Sequence, residues 1–246
     1  MLGARPFHFD PQVGSTNDVA REWALAGAPA GFVALAEEQI AGRGRFGRFW
    51  SAPPGTSLLI SVILRPRVSH ARLPRLTMVG AVAVAETLSD LESGSDISVS
   101  IKWPNDVWLN GLKVAGVLPE AIWQGQTMSA VILGIGLNVR VDFKGTPLEG
   151  RATSIESAAG LAVDRAQLLA HLLQRIDYWS MRVEDPGLFE AWRSRLITLG
   201  RHITAHGEKG DLAGQAVDVD DDGTLILRAD DGTIHRIVAG EVTLSG

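Results

Sequence analysis

Cysteine is absent from this chain of 246 residues. Its absence excludes disulfide bonds, thiolate metal sites and a cysteine nucleophile. Long apolar runs are also absent, since no stretch approaches the roughly 18 consecutive apolar residues of a membrane-spanning helix. The opening segment, MLGARPFHFD, has neither the apolar core nor the small-residue cleavage site of a secretory signal peptide. We therefore expect a cytoplasmic protein with no membrane partner.

Acidic residues are absent between Gln39 and Ala85, although the whole chain has a formal net charge of −5. The same segment contains seven arginines, at positions 43, 45, 48, 65, 67, 72 and 75. A basic stretch within an acidic protein predicts a local anionic ligand such as a phosphate. The overall balance argues against a nucleic-acid partner that covers the whole chain. For Arg65 to Arg75, a solvated surface is an equally good interpretation.

Local patterns predict helices and strands in alternation before Gly200. Helices are expected to begin at Ser15–Asp18, at Leu76, at Asp164 and at Asp185–Pro186, the last running to Gly200. Strands are expected at residues 32–36, 57–64, 97–101, 107–109, 112–118 and 128–141. Asn110-Gly111 is a strong hairpin signal between two of these strands. The pattern predicts an α/β (α+β) fold with a mixed, mostly antiparallel sheet.

The character of the sequence changes near Leu199. Beyond this point, short strand-like segments are separated by the turns Asp221-Asp222-Gly223 and Asp230-Asp231-Gly232. We predict a catalytic domain over residues 1–199. Residues 200–246 are predicted to form a small all-β barrel of about five strands and SH3-like size.

The segment Gly42-Arg43-Gly44-Arg45-Phe46-Gly47 fits the G-x-G-x-x-G pattern of dinucleotide-binding proteins. That motif opens a helix and is followed by an acidic residue about 20 positions later. Here the chain runs into Pro53-Pro54-Gly55 instead, and the next acid is Glu86. We therefore favour a flexible loop whose arginines bind carboxylate or phosphate oxygens and which closes over an anionic ligand. A basic surface loop without a ligand is the alternative.

A second polar group follows a predicted strand, in the run Lys102-Trp103-Pro104-Asn105-Asp106. Lys113 follows on the partner strand of the hairpin. A lysine, an amide and a carboxylate at such a turn could hold a nucleotide phosphate, with Mg²⁺ on the carboxylate. An aspartate at a turn is more often a capping residue. Asn138, near Gly134 and Gly136, could be a polar ligand-binding residue of the same pocket or a buried asparagine with a structural role.

Taken together, these segments resemble the biotin–protein ligase family. The matching residues occur in the family's order: Ser15-Thr16-Asn17, Gln39, Gly42 to Arg48, Trp50, Lys102 to Asp106, Lys113, Gly116, Gly134 to Val139 and the final Gly240-Glu241-Val242. The resemblance implies a catalytic domain like that of class II aminoacyl-tRNA synthetases, followed by the SH3-like barrel. It also implies the ligase-only type, without an N-terminal DNA-binding domain. In some members an arginine near the C-terminus reaches the nucleotide, whereas this chain has Ser245 in that neighbourhood.

The resemblance assigns a role to each matched residue. Biotin is expected to contact Ser15, Thr16, Asn17, Gln39, Gly42, Arg43, Gly44, Arg45, Lys113 and Gly116. ATP is expected to contact Arg45, Arg48, Trp50, Lys102, Asn105 and Asn138, with Mg²⁺ on Asp106. Catalysis is expected to depend on Lys113, Arg43 and Arg45, because two anions must approach each other.

The implied reaction forms biotinyl-5′-AMP and pyrophosphate, and then transfers biotin to a lysine of the biotin carboxyl carrier domain of a carboxylase. The implied assembly is a monomer or a homodimer. Two alternatives stay open from the sequence. One is an acyl-adenylate ligase of the same fold that acts on lipoate or octanoate, although the lipoate ligases have a different glycine-rich loop. The other is a sensor that binds biotin or a nucleotide without catalysing transfer.

Overall fold

A computed structural model describes residues 5–91, 97–207 and 210–244, so Ser245 lies outside the described residues. The elements follow in this order: β1 (Phe7–Val13), α1 (Thr16–Leu25), β2 (Val33–Gln39), β3 (Ser57–Leu64), α2 (Arg75–Ser89), β4 (Val99–Lys102), β5 (Asp106–Leu109), β6 (Leu112–Gln124), β7 (Thr127–Asn138), α3 (Ile155–Ala159), α4 (Arg165–Ser180), α5 (Pro186–Arg193), β8 (His202–Gly207), β9 (Gly210–Val219), β10 (Leu225–Ala229), β11 (Ile234–Ile237) and β12 (Glu241–Leu244). Two short 3-10 turns occupy Arg45–Gly47 and His70–Arg72. None of the helices in these ranges combines the length and apolar character needed to cross a bilayer.

The first sheet has seven strands in the order β1-β2-β3-β7-β6-β5-β4. β1 and β2 pair in parallel, and the remaining neighbours pair antiparallel. The expected mixed, mostly antiparallel sheet is therefore confirmed.

The two faces of this sheet are covered differently. On one face α2 packs tightly, since a β-carbon added at Gly80 would lie 3.2 Å from Leu133 Cδ1. On the other face α1 packs against β2, β3 and β7 through a small apolar cluster. That cluster consists of Ala20, Ala24, Phe32, Ala34, Ile63, Ile122, Ala130 and Ile132. Because residues two apart on a strand share a face, Gly134 and Gly136 lie on the α1 side.

The second sheet is antiparallel and has five strands in the order β11-β10-β9-β8-β12. Its buried residues, including Ile203 and Leu225, belong to the same apolar core as α2 and the first sheet. Trp103 Nε1 donates to the Gly223 carbonyl at 2.8 Å, and Arg75 Nε donates to the Asp221 carbonyl at 2.8 Å. The tail therefore packs directly on the first sheet and its helix, and its five expected strands are confirmed.

Several local predictions are confirmed because their signals are short-range. Ser15 caps α1 and Asp164 caps α4, each by accepting hydrogen bonds from backbone N–H groups of the first turn. β3 has its expected bounds. Asn110 and Gly111 have φ values of 51° and 80°, the positive values that a two-residue type I′ hairpin requires.

Three predicted ends of helices and strands were wrong. The helix from Asp185 was expected to run to Gly200 but ends at Arg193, because the following segment pairs with β4. There Ile101 N donates to the Arg195 carbonyl at 2.8 Å, and Ile197 N donates to the Ile101 carbonyl at 3.0 Å. The strand expected over 128–141 ends at Asn138, since Val139 N turns away to bind the Thr56 carbonyl. The strand expected to end at Leu118 continues through Gln124.

Candidate active site

A buried polar group lies at the start of α1. Ser15, Thr16 and Asn17 are each at most 4% exposed. The Gln39 side chain, at the end of β2, accepts from Thr16 N at 2.7 Å and from Thr16 Oγ1 at 3.0 Å. Ser61 Oγ, on β3, bonds Thr16 Oγ1 at 2.8 Å and Asn17 Oδ1 at 2.6 Å. These hydroxyl and amide groups form a connected network that can match a buried ligand carrying both donors and acceptors.

Glycine lets this network approach the sheet. A β-carbon at Gly134 would lie 2.9 Å from Asn17 Cγ, so no other residue fits there without displacing the amide. Asn17 Nδ2 also points toward the Leu118 carbonyl of β6, at 3.4 Å. At Gly134 the group that approaches the sheet is therefore the Asn17 amide.

The Trp50 side chain packs on two other glycines of the sheet, Gly116 and Gly136. A β-carbon at Gly136 would lie 2.6 Å from Trp50 Nε1, and one at Gly116 would lie 3.1 Å from Trp50 Cζ3. Gly116 and Gly136 are paired across β6 and β7, so together they form a flat floor. The Trp50 Nε1 donor is buried and has no hydrogen-bond partner among the described residues. Lys113 Nζ lies 5.5 Å from the centre of the Trp50 ring.

The glycine–arginine loop, residues 42–50, folds back on itself. Gly44 N donates to the Arg48 carbonyl at 2.7 Å, and Trp50 N donates to the Gly42 carbonyl at 2.9 Å. The tip uses left-handed backbone at Phe46 and Gly47, with φ values of 55° and 71°. A single 3-10 turn replaces the helix that a dinucleotide-binding motif would open, which agrees with the sequence interpretation.

The three arginines of the loop have different partners. Arg43 donates two hydrogen bonds to Asp18, at 2.6 and 2.7 Å. Arg48 forms an ion pair with Glu241 of β12. Arg45 Nη1 donates to the Asn105 amide oxygen at 3.4 Å, and Arg45 Cζ lies 5.0 Å from the centre of the Phe46 ring. Burial lowers the pKa of Arg45 despite the opposing charges of Asp106 and Glu241. Arg45 is therefore the loop arginine that lacks a carboxylate partner within the described residues.

A second set of charges lies at the start of β5 and β6. Lys113 Nζ pairs with Asp106 Oδ1 at 2.7 Å. Asn105 Nδ2 donates to the Val117 carbonyl at 2.9 Å, which holds this turn against β6. Burial lowers the pKa of Lys102, whose Nζ lies 5.4 Å from the centre of the Trp108 ring.

Asn138, one of the predicted site residues, has a partner that supports the scaffold. Asn138, 4% exposed, donates through Nδ2 to the Thr153 carbonyl at 3.2 Å. Thr153 N in turn donates to the Lys113 carbonyl at 2.8 Å. Asn138 therefore supports the backbone segment that is paired with Lys113.

Comparisons with known proteins show the family of this chain. The sequence profile described as the biotin/lipoate A/B protein ligase family matches residues 10–138, and that of the biotin protein ligase C-terminal domain matches residues 198–245. A biotin–[acetyl-CoA-carboxylase] ligase of Paracoccus denitrificans is 37% identical over 218 residues, covering 86% of this chain and 90% of that protein. The protein of the same name from Mycobacterium tuberculosis is 34% identical over 247 residues, covering 98% and 89%. The chain belongs to the biotin–protein ligase family.

Structural likeness to this family of ligase enzymes extends over almost the whole chain. The biotin protein ligase of Aquifex aeolicus, solved in complex with biotin and ATP, superposes with a TM-score of 0.81 at 29% identity. The superposition covers 98% of this chain and 99% of that one. The likeness therefore includes both the seven-stranded sheet and the five-stranded tail.

The ligase motifs recognised in the sequence converge on one face of the seven-stranded sheet. A β-carbon at Gly42 would lie 2.8 Å from Gln39 Nε2, so the base of the loop contacts the polar network. Trp50, at the other end of the loop, reaches Gly116 and the neighbourhood of Lys113. The loop thus spans the distance between the two groups of predicted residues.

The structure brings several residues into the candidate active site that were not predicted from the sequence. Ser61 was predicted only as part of a strand, although it is the polar residue within the run Leu58-Leu59-Ile60-Ser61-Val62-Ile63. Asp18 was read as a first-turn acid of α1, and its partner Arg43 is 25 residues away. Glu241 was noted only as part of the C-terminal match, and no local signal indicates its pairing with Arg48.

The described residues do not form a resident metal centre. No group of three or more histidine, aspartate or glutamate side chains within these ranges could hold an ion. The predicted ligand Asp106 has the Lys113 ammonium against its carboxylate. A single carboxylate paired with a cation does not hold Mg²⁺ by itself, because Mg²⁺ in nucleotide sites is bound by one or two carboxylates together with the substrate phosphates. Asp106 as a ligand of a nucleotide-bound Mg²⁺ stays a prediction.

Proposed function

We propose that this chain activates the carboxylate of biotin with ATP and then transfers biotin to a lysine of a biotin carboxyl carrier domain. One observation carries the proposal: a buried hydroxyl and amide network adjoins a group of cations on the same face of the sheet. Gln39 and Ser61 belong to the network, and Lys113 and Arg45 belong to the cationic group. The names of the similar proteins support the choice of biotin and of acetyl-CoA carboxylase as the source of the carrier.

The polar network would bind the ureido ring of biotin. That ring carries N–H donors and a carbonyl acceptor, and burying them is costly unless each finds a partner. Thr16, Asn17 and Gln39 offer both kinds of group within one hydrogen-bonded set. Ser15 caps the helix that holds them in place. Gly42 and Gly44 would let the loop backbone come close to the ligand.

The first chemical step brings two anions together. A carboxylate oxygen of biotin attacks the α-phosphorus of ATP, the bond to the β-phosphate breaks, and pyrophosphate leaves. Lys113 and Arg45 would neutralise the oxygens on which charge accumulates. Lys113 must then exchange its bond to Asp106 for bonds to the substrates. Arg43 was predicted to share this role, but both of its terminal nitrogens donate to Asp18.

The nucleotide side would use the second group of residues. Trp50 offers an aromatic surface for adenine, and Arg48, Lys102, Asn105 and Asn138 are proposed to surround ATP. Mg²⁺ would arrive with the phosphates and lower their negative charge. No step of the mechanism is assigned to Asp106 through a metal, since its carboxylate pairs with Lys113.

In the second step, the target lysine attacks the acyl carbon as a neutral amine. The bond between that carbon and the AMP oxygen breaks, AMP leaves, and the amine loses its proton to solvent. Closure of the glycine–arginine loop would keep water away from the mixed anhydride between the two steps.

The proposed function also implies two domains. Residues 1–199 would be a catalytic domain like that of class II aminoacyl-tRNA synthetases, and residues 200–246 would be an SH3-like barrel. The five-stranded antiparallel tail and its start at β8 support this division. The cytoplasmic location, the absence of a nucleic-acid partner and a monomeric or homodimeric state stay predictions from the sequence.

The direct test is a mass measurement. The protein is incubated with ATP, Mg²⁺, a carboxylase carrier domain and either biotin or lipoate, and the carrier is weighed by mass spectrometry. A carrier heavier by one amide-linked biotin is expected, and only when ATP is present. An unmodified carrier, or one modified by lipoate and not by biotin, would exclude the proposed function.

A further inference from the structure

Asp18 and Arg43 are joined by a two-pronged ion pair between α1 and the glycine–arginine loop. Arg43 Nη1 and Nη2 donate to the two oxygens of Asp18 at 2.7 and 2.6 Å. This bidentate geometry sets direction as well as distance, because the planar guanidinium matches the plane of the carboxylate. The bond lowers the pKa of Asp18 and raises that of Arg43, since it favours the charged form of each.

The pair belongs to a small charge network on the α1 side of the sheet. Arg43 Nη2 lies 3.6 Å from Glu120 Oε2, and Arg21 Nη2 lies 3.8 Å from the same oxygen. Arg21 and Asp18 come from α1, Glu120 comes from β6, and Arg43 comes from the loop. The network therefore ties the loop to α1, which carries Thr16 and Asn17, and to β6, whose Leu118 carbonyl lies 3.4 Å from Asn17 Nδ2.

The position of Asp18 gives this tie a function. Asp18 follows directly after Ser15, Thr16 and Asn17, which build the pocket. Arg43 follows directly after Gly42, whose α-carbon sits against Gln39. A bond between Asp18 and Arg43 thus sets the base of the loop against the pocket, and presents Arg45 without a carboxylate partner among the described residues.

We propose that Asp18 is a positioning residue for the reaction: its bond to Arg43 holds the base of the loop on the pocket, so that Gly42 closes on Gln39 and Arg45 faces the anionic substrates. Arg43 then serves as an anchor of the loop, in place of the direct contact with the carboxylate that the sequence predicted. The kinetic part of the inference rests on the proposed function, whereas the part about the loop does not.

The two roles for Arg43 predict opposite results for Asp18→Asn. If Arg43 is an anchor, the loop loosens and the KM for biotin rises. If Arg43 binds the substrate carboxylate, removal of Asp18 frees it, and the KM for biotin stays the same or falls. An ion pair exposed as these two side chains are, at 38% and 47%, contributes up to ~1 kcal/mol. The anchor role therefore predicts a rise of about five-fold in KM.

A matched control lies elsewhere on the surface. Arg175 pairs with Asp90 at 2.6 Å and has Glu86 as a second carboxylate at 3.5 Å. Its exposure and that of Asp90 are 41% and 52%, close to those of the proposed anchor. Asp90→Asn removes the same kind of bond without touching the loop. It should leave both the KM for biotin and the loop unchanged.

The test compares wild type, Asp18→Asn, Arg43→Gln, the double variant and Asp90→Asn. Biotin KM and kcat are measured by biotin-dependent pyrophosphate release, and loop opening by chymotrypsin cleavage without ligands. Phe46 and Phe49, each 62% exposed, are the cleavage sites, and every variant retains them. The anchor role predicts a five-fold higher KM for Asp18→Asn, little change in kcat, and faster cleavage after Phe46 or Phe49. The double variant should then be no worse than Arg43→Gln alone.

The outcomes separate the two proposals. An unchanged or lower biotin KM together with an unchanged cleavage rate in Asp18→Asn would overturn the positioning role. A wild-type protein without biotin-dependent pyrophosphate release would overturn the proposed function instead. In that case the cleavage rates of Asp18→Asn and Asp90→Asn would still decide whether Asp18 anchors the loop.

Discussion

The Trp50 indole lies directly on Gly136 of β7, and a β-carbon at that glycine would come within 2.6 Å of the indole nitrogen. The contact joins the end of the glycine–arginine loop to the floor of the candidate nucleotide site. It explains why glycine occupies a central strand, where it is otherwise unfavourable. It also means that the loop and the sheet cannot be changed independently at this point.

Gly136→Ala should therefore push Trp50 off the sheet. Overpacking of this kind costs ~1–3 kcal/mol, which corresponds to a loss of at least about five-fold in affinity. We expect the KM for ATP to rise by at least that factor, while the affinity for biotin alone changes less. Gly207→Ala is a suitable control, because its β-carbon would meet only an ordinary contact at 3.7 Å. An unchanged KM for ATP in Gly136→Ala would contradict the assignment of Trp50 to the nucleotide side.

Ser61→Ala should weaken biotin binding. The change removes the hydroxyl that bonds both Thr16 and Asn17, and leaves the oxygen of a buried amide without that partner. An unsatisfied buried polar group costs ~1–3 kcal/mol, so the dissociation constant for biotin should rise by about ten-fold in calorimetric titration. Ser89→Ala, which removes a hydroxyl bonded to a helix carbonyl in α2, should bind biotin normally. Equal affinities of the two variants for biotin would show that biotin does not bind at the polar network around Ser61.

Ligands should protect the glycine–arginine loop. Its glycines make the closed state entropically costly, and biotin together with ATP would supply contacts that offset this cost. We expect trypsin to cleave after Arg43, Arg45 or Arg48 in the free protein, and to cleave much more slowly when both ligands are bound. Cleavage at one rate in both conditions would show that the loop does not close.

Acid should destabilise the protein partly through Asp18 and Glu37. Hydrogen bonds from Arg43 and from Arg165 lower the pKa values of these carboxyl groups. At pH values between the lowered pKa values of the folded state and the ordinary values of the unfolded state, the folded state therefore binds fewer protons. The stabilisation is complete above the ordinary pKa values of about 4 and is lost as the pH falls through the lower folded values.

The measurement is urea unfolding between about pH 7 and about pH 3. The double variant Asp18→Asn/Glu37→Gln should be less stable than wild type at neutral pH, and should lose less of its free energy of unfolding on acidification. A loss on acidification equal to that of wild type would show that the two ion pairs contribute nothing.

The sequence predicted those parts of the fold whose causes are local. Ser15 caps the helix that follows it, and Asn110-Gly111 supplies the positive φ values of its hairpin. β1 was not predicted, because its sequence has no apolar run. It forms by parallel pairing with β2, and a local sequence pattern does not encode that pairing. The helix after Asp185 was predicted too long because pairing with Ile101 overrides the helical preference of residues 194–199.

In the candidate site too, local features were predicted from the sequence and contacts between distant residues were not. Residue types and their order were sufficient to indicate a biotin–protein ligase, and the predicted residues do gather on one face of the sheet. The partners of the charges were not readable, since Arg43 meets Asp18 and Arg48 meets Glu241 only in the folded chain. As a result, three loop arginines that look equivalent in sequence have three different environments.

The proposed reaction depends most on Lys113, which would stabilise the charge that develops as biotin attacks ATP. The most direct measurement is biotin-dependent ATP–pyrophosphate exchange by wild type, Lys113→Ala and Lys144→Ala, the last replacing an exposed lysine. Loss of a cation aimed at developing charge typically costs on the order of 10²–10³ in rate. We predict exchange in wild type and Lys144→Ala, and a loss of that order in Lys113→Ala. Near-normal exchange by Lys113→Ala would exclude the proposed role of Lys113 in adenylate formation.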